Sequence, residues 1–314
     1  MPTATDFSAV IIAGKTVDVI GMICNILLIL VIIIDPLKIL HRGAWITILN
    51  ISVADFIACG SNFVTLLFAY ENIHAVPQIA IDVSTFFWML GVGASFMLLA
   101  SLNVQIYIII KYPMKSRLML TTKKVVLSCI IVWAAAIGMG LTEIGYIWIS
   151  GNEVFYLYIA KIASLEMAVV CQVVLKILTA VEILGSRYDG LNAETQNQKQ
   201  KEVAKVVTIL NVILIVTALP YFLAKQIEYI GRLGDSSYDS LVTKFPYYYQ
   251  PVALLNFVLN PLLYSLRMRD YRRSLIALFT FNCKKRTPFR SSSLRSTIYL
   301  KTNLSNLEIR ETRL

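Results

Sequence analysis

Several polar side chains stand where their surroundings are apolar, and their chemistry is the first thing the sequence offers. Asp55 ends the run Leu49-Asn50-Ile51-Ser52-Val53-Ala54-Asp55; Asn25, Ser95, Asn256 and Asn260 lie in other apolar runs. A carboxylate in the middle of a membrane span costs roughly 2.5–3.5 kcal/mol on insertion scales, so such a residue faces the interior of a bundle and has a reason to be there. Asn256, Asn260 and Tyr264 are spaced four apart and share one helical face. Pro261 interrupts that helix and frees backbone carbonyls for other partners. Taken singly, each residue reads as an interhelical hydrogen bond. Taken together, they suggest one polar cluster midway across a membrane. Glu166, among Ala163, Leu165, Met167 and Ala168, reads either as a ligand-site acid or as the partner of a neighbouring helix. Lys225 either lines a pocket mouth or extends its ammonium to lipid headgroups.

Other chemistries are missing. His41 and His74 are far apart, no metal-ligand spacing occurs among histidines and cysteines, and no nucleophile–base pair is placed for catalysis. The expectation is a protein that is not an enzyme and has no cofactor. Four of the five cysteines, Cys24, Cys59, Cys129 and Cys171, lie inside apolar runs and read as packing residues.

The elements that must position these groups are apolar helices. Of 314 residues, 57% are hydrophobic and 15% charged, too apolar for a soluble domain of this size. Seven runs stand out, at about Val10–Ile34, Ala44–Tyr70, Ile79–Ile110, Val125–Trp148, Phe155–Leu184, Val203–Ile230 and Phe245–Leu266. The first run is too long for a cleavable signal and reads as an uncleaved anchor. One set of connecting loops carries Lys38, Arg42, Lys111, Lys115, Arg117, Lys123, Lys124, Lys199 and Lys201; the opposite set is acidic. Cations stay on the cytoplasmic side, so the N-terminus is expected outside and the C-terminus inside. From Arg267 onward there are 12 Lys or Arg against 3 Asp or Glu, which accounts for nearly all of the net charge of +10. That basic tail suits anionic membrane lipid, and no partner nucleic acid is called for.

The tail carries three further signals. Cys283 beside Lys284-Lys285-Arg286 reads as a lipidation site or as an unmodified thiol. Ser291, Ser292, Ser293, Ser296 and Thr297 form a hydroxyl cluster that phosphorylation would make anionic, or a flexible filler. Thr312 and Leu314 end the chain in the pattern of a PDZ ligand.

The motifs then become specific. Asn260-Pro261-Leu262-Leu263-Tyr264 resembles the Asn-Pro-x-x-Tyr signature of rhodopsin-like G-protein-coupled receptors. Asn25, Asp55, Trp133 and Pro220 fall where that family has its first-, second-, fourth- and sixth-span signature residues. Tyr107 through Pro113 and Met114 resembles its run into the second cytoplasmic loop. The resemblance covers about residues 15–282 and leaves the subfamily open. It implies an all-α fold, a seven-transmembrane bundle over 10–266 after a short outer segment 1–9. An amphipathic eighth helix over 267–282 and a cytoplasmic tail over 283–314 would follow. It also implies a multi-pass plasma-membrane receptor whose partners are a ligand between the helices, a heterotrimeric G protein and arrestin-type proteins. Asn25, Asp55, Ser95, Asn256 and Asn260 fall on or near the positions that bind a sodium ion in resting receptors, and an anionic Asp with neutral oxygen ligands suits such a hard cation. Gln105, Ile106, Tyr107, Pro220, Pro261 and Tyr264 fall on the family's activation switches.

Departures from the pattern are equally specific. Gln105-Ile106-Tyr107 replaces Asp-Arg-Tyr, and Ile106 has neither the charge nor the donors of the Arg it replaces. Conventional coupling therefore competes with an atypical receptor that binds a ligand or a partner receptor without a G protein. Ala218 replaces the usual Trp before Pro220, the fifth span has no Pro, and neither Cys of the family's outer disulfide is present. Trp88 occupies the place where amine receptors carry an Asp. Trp88, Glu166, Tyr221 and Lys225 are the pocket candidates, and the short N-terminus argues for a small ligand held between the helices.

Overall fold

The computed structural model describes residues 4–37, 40, 43–70, 76–112, 115–149, 151–185, 208–209, 212–234 and 240–280. Their longer helices are α1 (Ala4–Ile34), α2 (Ala44–Tyr70), α3 (Gln78–Lys111), α4 (Thr122–Leu141), α5 (Val154–Gly185), α6 (Leu219–Leu233), α7 (Ser240–Arg267) and α8 (Arg269–Phe279), with a single turn at Ser116–Met119. No strand occurs among the described residues. The sixth helix is part of a longer apolar span, Val212–Leu233. Among the described residues, six helices are long and apolar enough to cross a membrane. The seventh, α7, has the length, 28 residues, but Pro246, Pro251, Pro261 and its amides dilute its apolar character. The chain is a bundle of seven helices that alternate in direction, followed by a short eighth. Its two ends are named here the N-terminal end, where α1 begins, and the tail end, where α8 lies.

Close packing in lipid depends on small residues rather than on expulsion of water. Gly91 shows why: a Cβ there would lie 2.6 Å from the Ala58 nitrogen and 2.7 Å from the Ala54 oxygen. Only Gly on α3 facing Ala on α2 allows the two backbones to touch. Polar pairs complete the contacts. Trp133 Nε1 donates to Asn50 Oδ1 at 2.9 Å, joining α4 to α2. Asn103 Nδ2 donates to Gln172 Oε1 at 3.4 Å, and Gln172 Nε2 donates to the Phe96 carbonyl at 3.2 Å, joining α3 to α5.

The helix ends depart from the apolar runs where local chemistry competes. The first helix begins at Ala4, ahead of the run, so the expected outer segment 1–9 is partly helical. The fourth run, expected to reach Trp148, is an apolar helical span to Ile147, in which α4 ends at Leu141 and a 3₁₀ helix, Thr142–Ile147, continues it. The Thr142 hydroxyl donates to the Met139 carbonyl at 2.7 Å at this junction. α8 turns away after Met268 and seats Tyr271, 2% exposed, against Trp45 of α2, with ring centroids 6.3 Å apart.

Candidate functional site

Of the five mid-span polar residues, Asp55, Ser95 and Asn260 are bonded to one another, Asn25 bonds to the backbone of α7, and Asn256 is buried one turn before Asn260. Asp55 is fully buried; Ser95 Oγ donates to its Oδ1 at 2.5 Å and Asn260 Nδ2 to its Oδ2 at 2.6 Å. These bonds join α2, α3 and α7. Asn25 Nδ2 donates to the Phe257 carbonyl at 3.1 Å and to the Gly21 carbonyl at 2.9 Å, adding α1. Phe257 lies four residues before Pro261, so its carbonyl is the one that the missing proline N–H leaves free. Among the described residues, the Oδ1 atoms of Asn25, Asn256 and Asn260 are buried without a hydrogen-bond partner, as is the Tyr264 hydroxyl. Each such group costs about 1–3 kcal/mol unless something meets it. The donor set is oxygen only and includes one carboxyl group, which fits a hard monovalent cation or ordered water. Among the described residues no group of three His, Cys, Asp or Glu is placed to hold a metal.

A second proline is treated in the same way. Pro220 leaves the Val216 carbonyl without its helical donor, and Tyr249 Oη on α7 donates to that oxygen at 2.7 Å. α6 and α7 are thereby joined at their bend.

At the tail end, the replaced motif makes other contacts. Gln105 Nε2 donates to Thr47 Oγ1 of α2 at 2.8 Å, a neutral bond where the family has an acid. Ile106 is 3% exposed and packed in the core. Tyr107 Oη accepts from Lys111 Nζ at 2.7 Å, and Lys111 pairs with Glu182 of α5 at 3.2 Å. α3 and α5 run in the same direction, and the pairs Asn103–Gln172 and Lys111–Glu182 fix their register. Lys176, four residues beyond Gln172, is therefore level with Ile106, three beyond Asn103. Its Nζ is buried and has no hydrogen-bond partner among the described residues. Sequence reading passed over this lysine because it concentrated on α3.

Toward the N-terminal end, a narrow cleft opens between α3, α6 and α7. Its cavity volume is about 10 Å³, room for about one water molecule, and Trp88, Phe96, Tyr221, Phe222 and Phe257 line it. Ala218, Gln250 and Ala253 complete the wall. Ala218 stands where the family's Trp would fill this space. The rings are locked edge to face: Trp88 with Phe257 at 5.9 Å and Phe96 with Phe222 at 5.5 Å between centroids. Of the four expected pocket residues, Trp88 and Tyr221 line the cleft and Glu166 and Lys225 do not. Glu166 meets the neighbouring helix: the Gln226 amide nitrogen, in the orientation that satisfies both groups, donates to its two oxygens at 2.7 and 2.8 Å. Lys225 pairs with Glu228 at 3.0 Å, and Arg232 binds the other oxygen of Glu228 at 2.5 Å. Both are claimed by α6.

Gln250 was missed, and so was what stands behind it. Asp18 of α1, fully buried, accepts from Asn62 Nδ2 of α2 at 2.7 Å, and Asn62 Oδ1 accepts from Gln250 Nε2 at 2.8 Å. The signal was present, because Asp18 interrupts the run Val10–Ile34 and Asn62 lies seven residues after Asp55, on the same face. Cys283, Thr312 and Leu314 lie outside the described residues.

Two comparisons bear on this arrangement. The family model described as the seven-transmembrane receptors of the rhodopsin family matches residues 24–264. A galanin receptor 2b of Danio rerio is 24% identical over 250 residues, covering 74% of this chain and 65% of that relative. The match thus spans less than two thirds of the relative's own length.

Proposed function

The chain belongs to the rhodopsin family of seven-transmembrane receptors, and from that premise we propose that it binds a small ligand in the aromatic cleft and signals through a heterotrimeric G protein. One residue carries the reading. The Phe257 ring lines the cleft and packs on Trp88, while its carbonyl accepts from Asn25 in the polar core. A ligand that moves this ring moves the backbone of α7 beside Pro261, and so bears on the Asp55 hydrogen bonds. The clustered tail-side cations support a plasma-membrane orientation with the N-terminal end outside. Cys283 is then placed for lipidation, the tail hydroxyls for arrestin-type proteins, Thr312 and Leu314 for a PDZ domain, and the tail's basic residues for inner-leaflet lipid.

Asp55, Ser95, Asn25, Asn256 and Asn260 would hold a sodium ion in the resting state. The ion would supply positive charge opposite the carboxyl group, and it acts only through its different affinity for two states. This chain's own side chains do the positioning, because Ser95 and Asn260 already fix both carboxyl oxygens.

Coupling without the family's Arg needs a cation from elsewhere. Lys176 supports that reading, because a buried ammonium that no described residue meets is unfavourable until an anion reaches it. Ile106 supports the competing one, a receptor that takes up a ligand or pairs with another receptor without coupling. Basal second-messenger output in cells separates the two. The coupling reading expects output from the native chain that Lys176→Met abolishes. Output seen only after the double change Gln105→Asp and Ile106→Arg would establish the competing reading.

A further inference from the structure

The chain of hydrogen bonds from Asp18 to Gln250 has a direction, and the direction decides what the cleft can recognise. In the structure Asp18 Oδ2 accepts from Asn62 Nδ2 at 2.7 Å. Asn62 thus turns its amide nitrogen to Asp18 and its oxygen to Gln250. Gln250 must in turn give its nitrogen to Asn62 Oδ1, at 2.8 Å. What remains for the cleft is Gln250 Oε1, an acceptor that no described donor reaches. A glutamine is ordinarily indifferent, able to offer N–H or oxygen by a flip of its amide. Here a flip would set nitrogen against nitrogen and break the bond to Asn62.

We propose that Asp18, Asn62 and Gln250 form a directional relay that makes the cleft select ligands presenting a hydrogen-bond donor beside an aromatic or aliphatic body. The proposal rests on the cleft being the ligand site. Two further features fit a donor, and a positively charged one best. Asp18 Oδ1 is buried and meets no hydrogen-bond partner among the described residues, so the far end of the relay is not saturated. Trp88, Tyr221 and Phe257 border the same space as Gln250, and aromatic faces attract an ammonium. An anionic ligand meets the opposite conditions: a fixed carbonyl oxygen, ring faces that repel it, and a carboxyl group behind the wall. The three residues come from α1, α2 and α7, so ligand recognition also reaches α1, which does not itself line the cleft.

The test uses the full chain, purified in detergent, with two matched probes, 2-phenylethylamine and phenylacetate, and reads binding from the shift of the unfolding midpoint. The native chain is expected to bind the amine at least about tenfold more tightly than the acid, equivalent to about 1.4 kcal/mol. Asp18→Asn keeps the shape but can donate as well as accept, so both relay directions become available and the preference should fall toward unity. Gln250→Met, at a half-buried position, should weaken the amine about tenfold and leave the acid unchanged. 2-Phenylethanol separates neutral donors from ammonium: binding close to that of the amine assigns the preference to the donor alone, and much weaker binding adds a charge requirement; both support the relay. A native preference for phenylacetate, or an amine preference that survives Asp18→Asn and Gln250→Met, overturns the relay while leaving the cleft as a binding site. Failure of all probes to bind the native chain overturns the relay and the cleft together.

Discussion

Asp55 is held by two short hydrogen bonds from two helices, so each donor should be measurable by itself. Ser95→Ala removes the hydroxyl from Oδ1 and leaves a buried oxygen unmet. The expected loss is about 1–3 kcal/mol, seen as a lower unfolding midpoint in detergent. The sodium reading makes a separate demand. Sodium chloride should raise the midpoint of the native chain above that in choline chloride of equal ionic strength, and Asp55→Asn should remove the difference. A sodium effect that survives the substitution places the ion elsewhere. These residues were legible in the sequence because a carboxyl and amides are conspicuous against Leu and Ile. Asp18 was equally conspicuous and was passed over, since no motif pointed to it. Glu166 and Lys225 kept two readings open for the opposite reason. Their partners, Gln226 and Glu228, lie on α6, and only the packing of α5 against α6, or one turn of α6 itself, brings them into reach.

At the scale of elements, two devices let helices bend and touch in lipid. Pro220 opens a carbonyl that Tyr249 closes from the next helix, so Tyr249→Phe should leave the Val216 oxygen unmet in an environment without water. The expected cost is again about 1–3 kcal/mol. A midpoint unchanged by Tyr249→Phe would mean that α6 satisfies its own bend. Gly91→Ala asks about contact instead of bonding. The added methyl would overlap the Ala54 and Ala58 backbone, which has no rotamer to yield, so α2 and α3 must separate. Overpacking of this kind costs about 1–3 kcal/mol, and Gly91→Ser should be worse than Gly91→Ala. Number, order and approximate limits of the helices followed from hydropathy, because a span in lipid has few alternatives. Which glycine faces which alanine did not follow, since helix rotation is set by tertiary contacts that leave no periodic mark in so uniformly apolar a run.

For the whole molecule, the question is what holds the N-terminal end closed without the family's disulfide. Two contacts stand in its place. Tyr146 Oη donates to Asp82 Oδ2 at 2.7 Å, next to the third-span position where the family has its Cys, and Gln78 Nε2 donates to Asp82 Oδ1 at 2.9 Å. Deeper, Lys161 of α5 is ion-paired with Glu143 of the 3₁₀ segment and lies over the Tyr158 ring at 4.6 Å. The Lys161 side chain is 3% exposed, so loss of its partner strands a cation, whereas the Tyr146 bond is open to solvent. The two should differ accordingly: about 0.5–1.5 kcal/mol for Tyr146→Phe, and about 3–5 kcal/mol for Glu143→Ala. The four described cysteines are all free. Dithiothreitol should therefore leave the unfolding midpoint of the native chain where it was, and a reductant-sensitive midpoint would show that a covalent tether operates after all. The exchange has a mechanical consequence. A disulfide holds one distance whatever the state of the receptor, but a hydrogen bond and an ion pair can break and re-form as α3, α5 and the cleft between the helices move, so the mouth of this bundle is closed by contacts that a ligand can compete with.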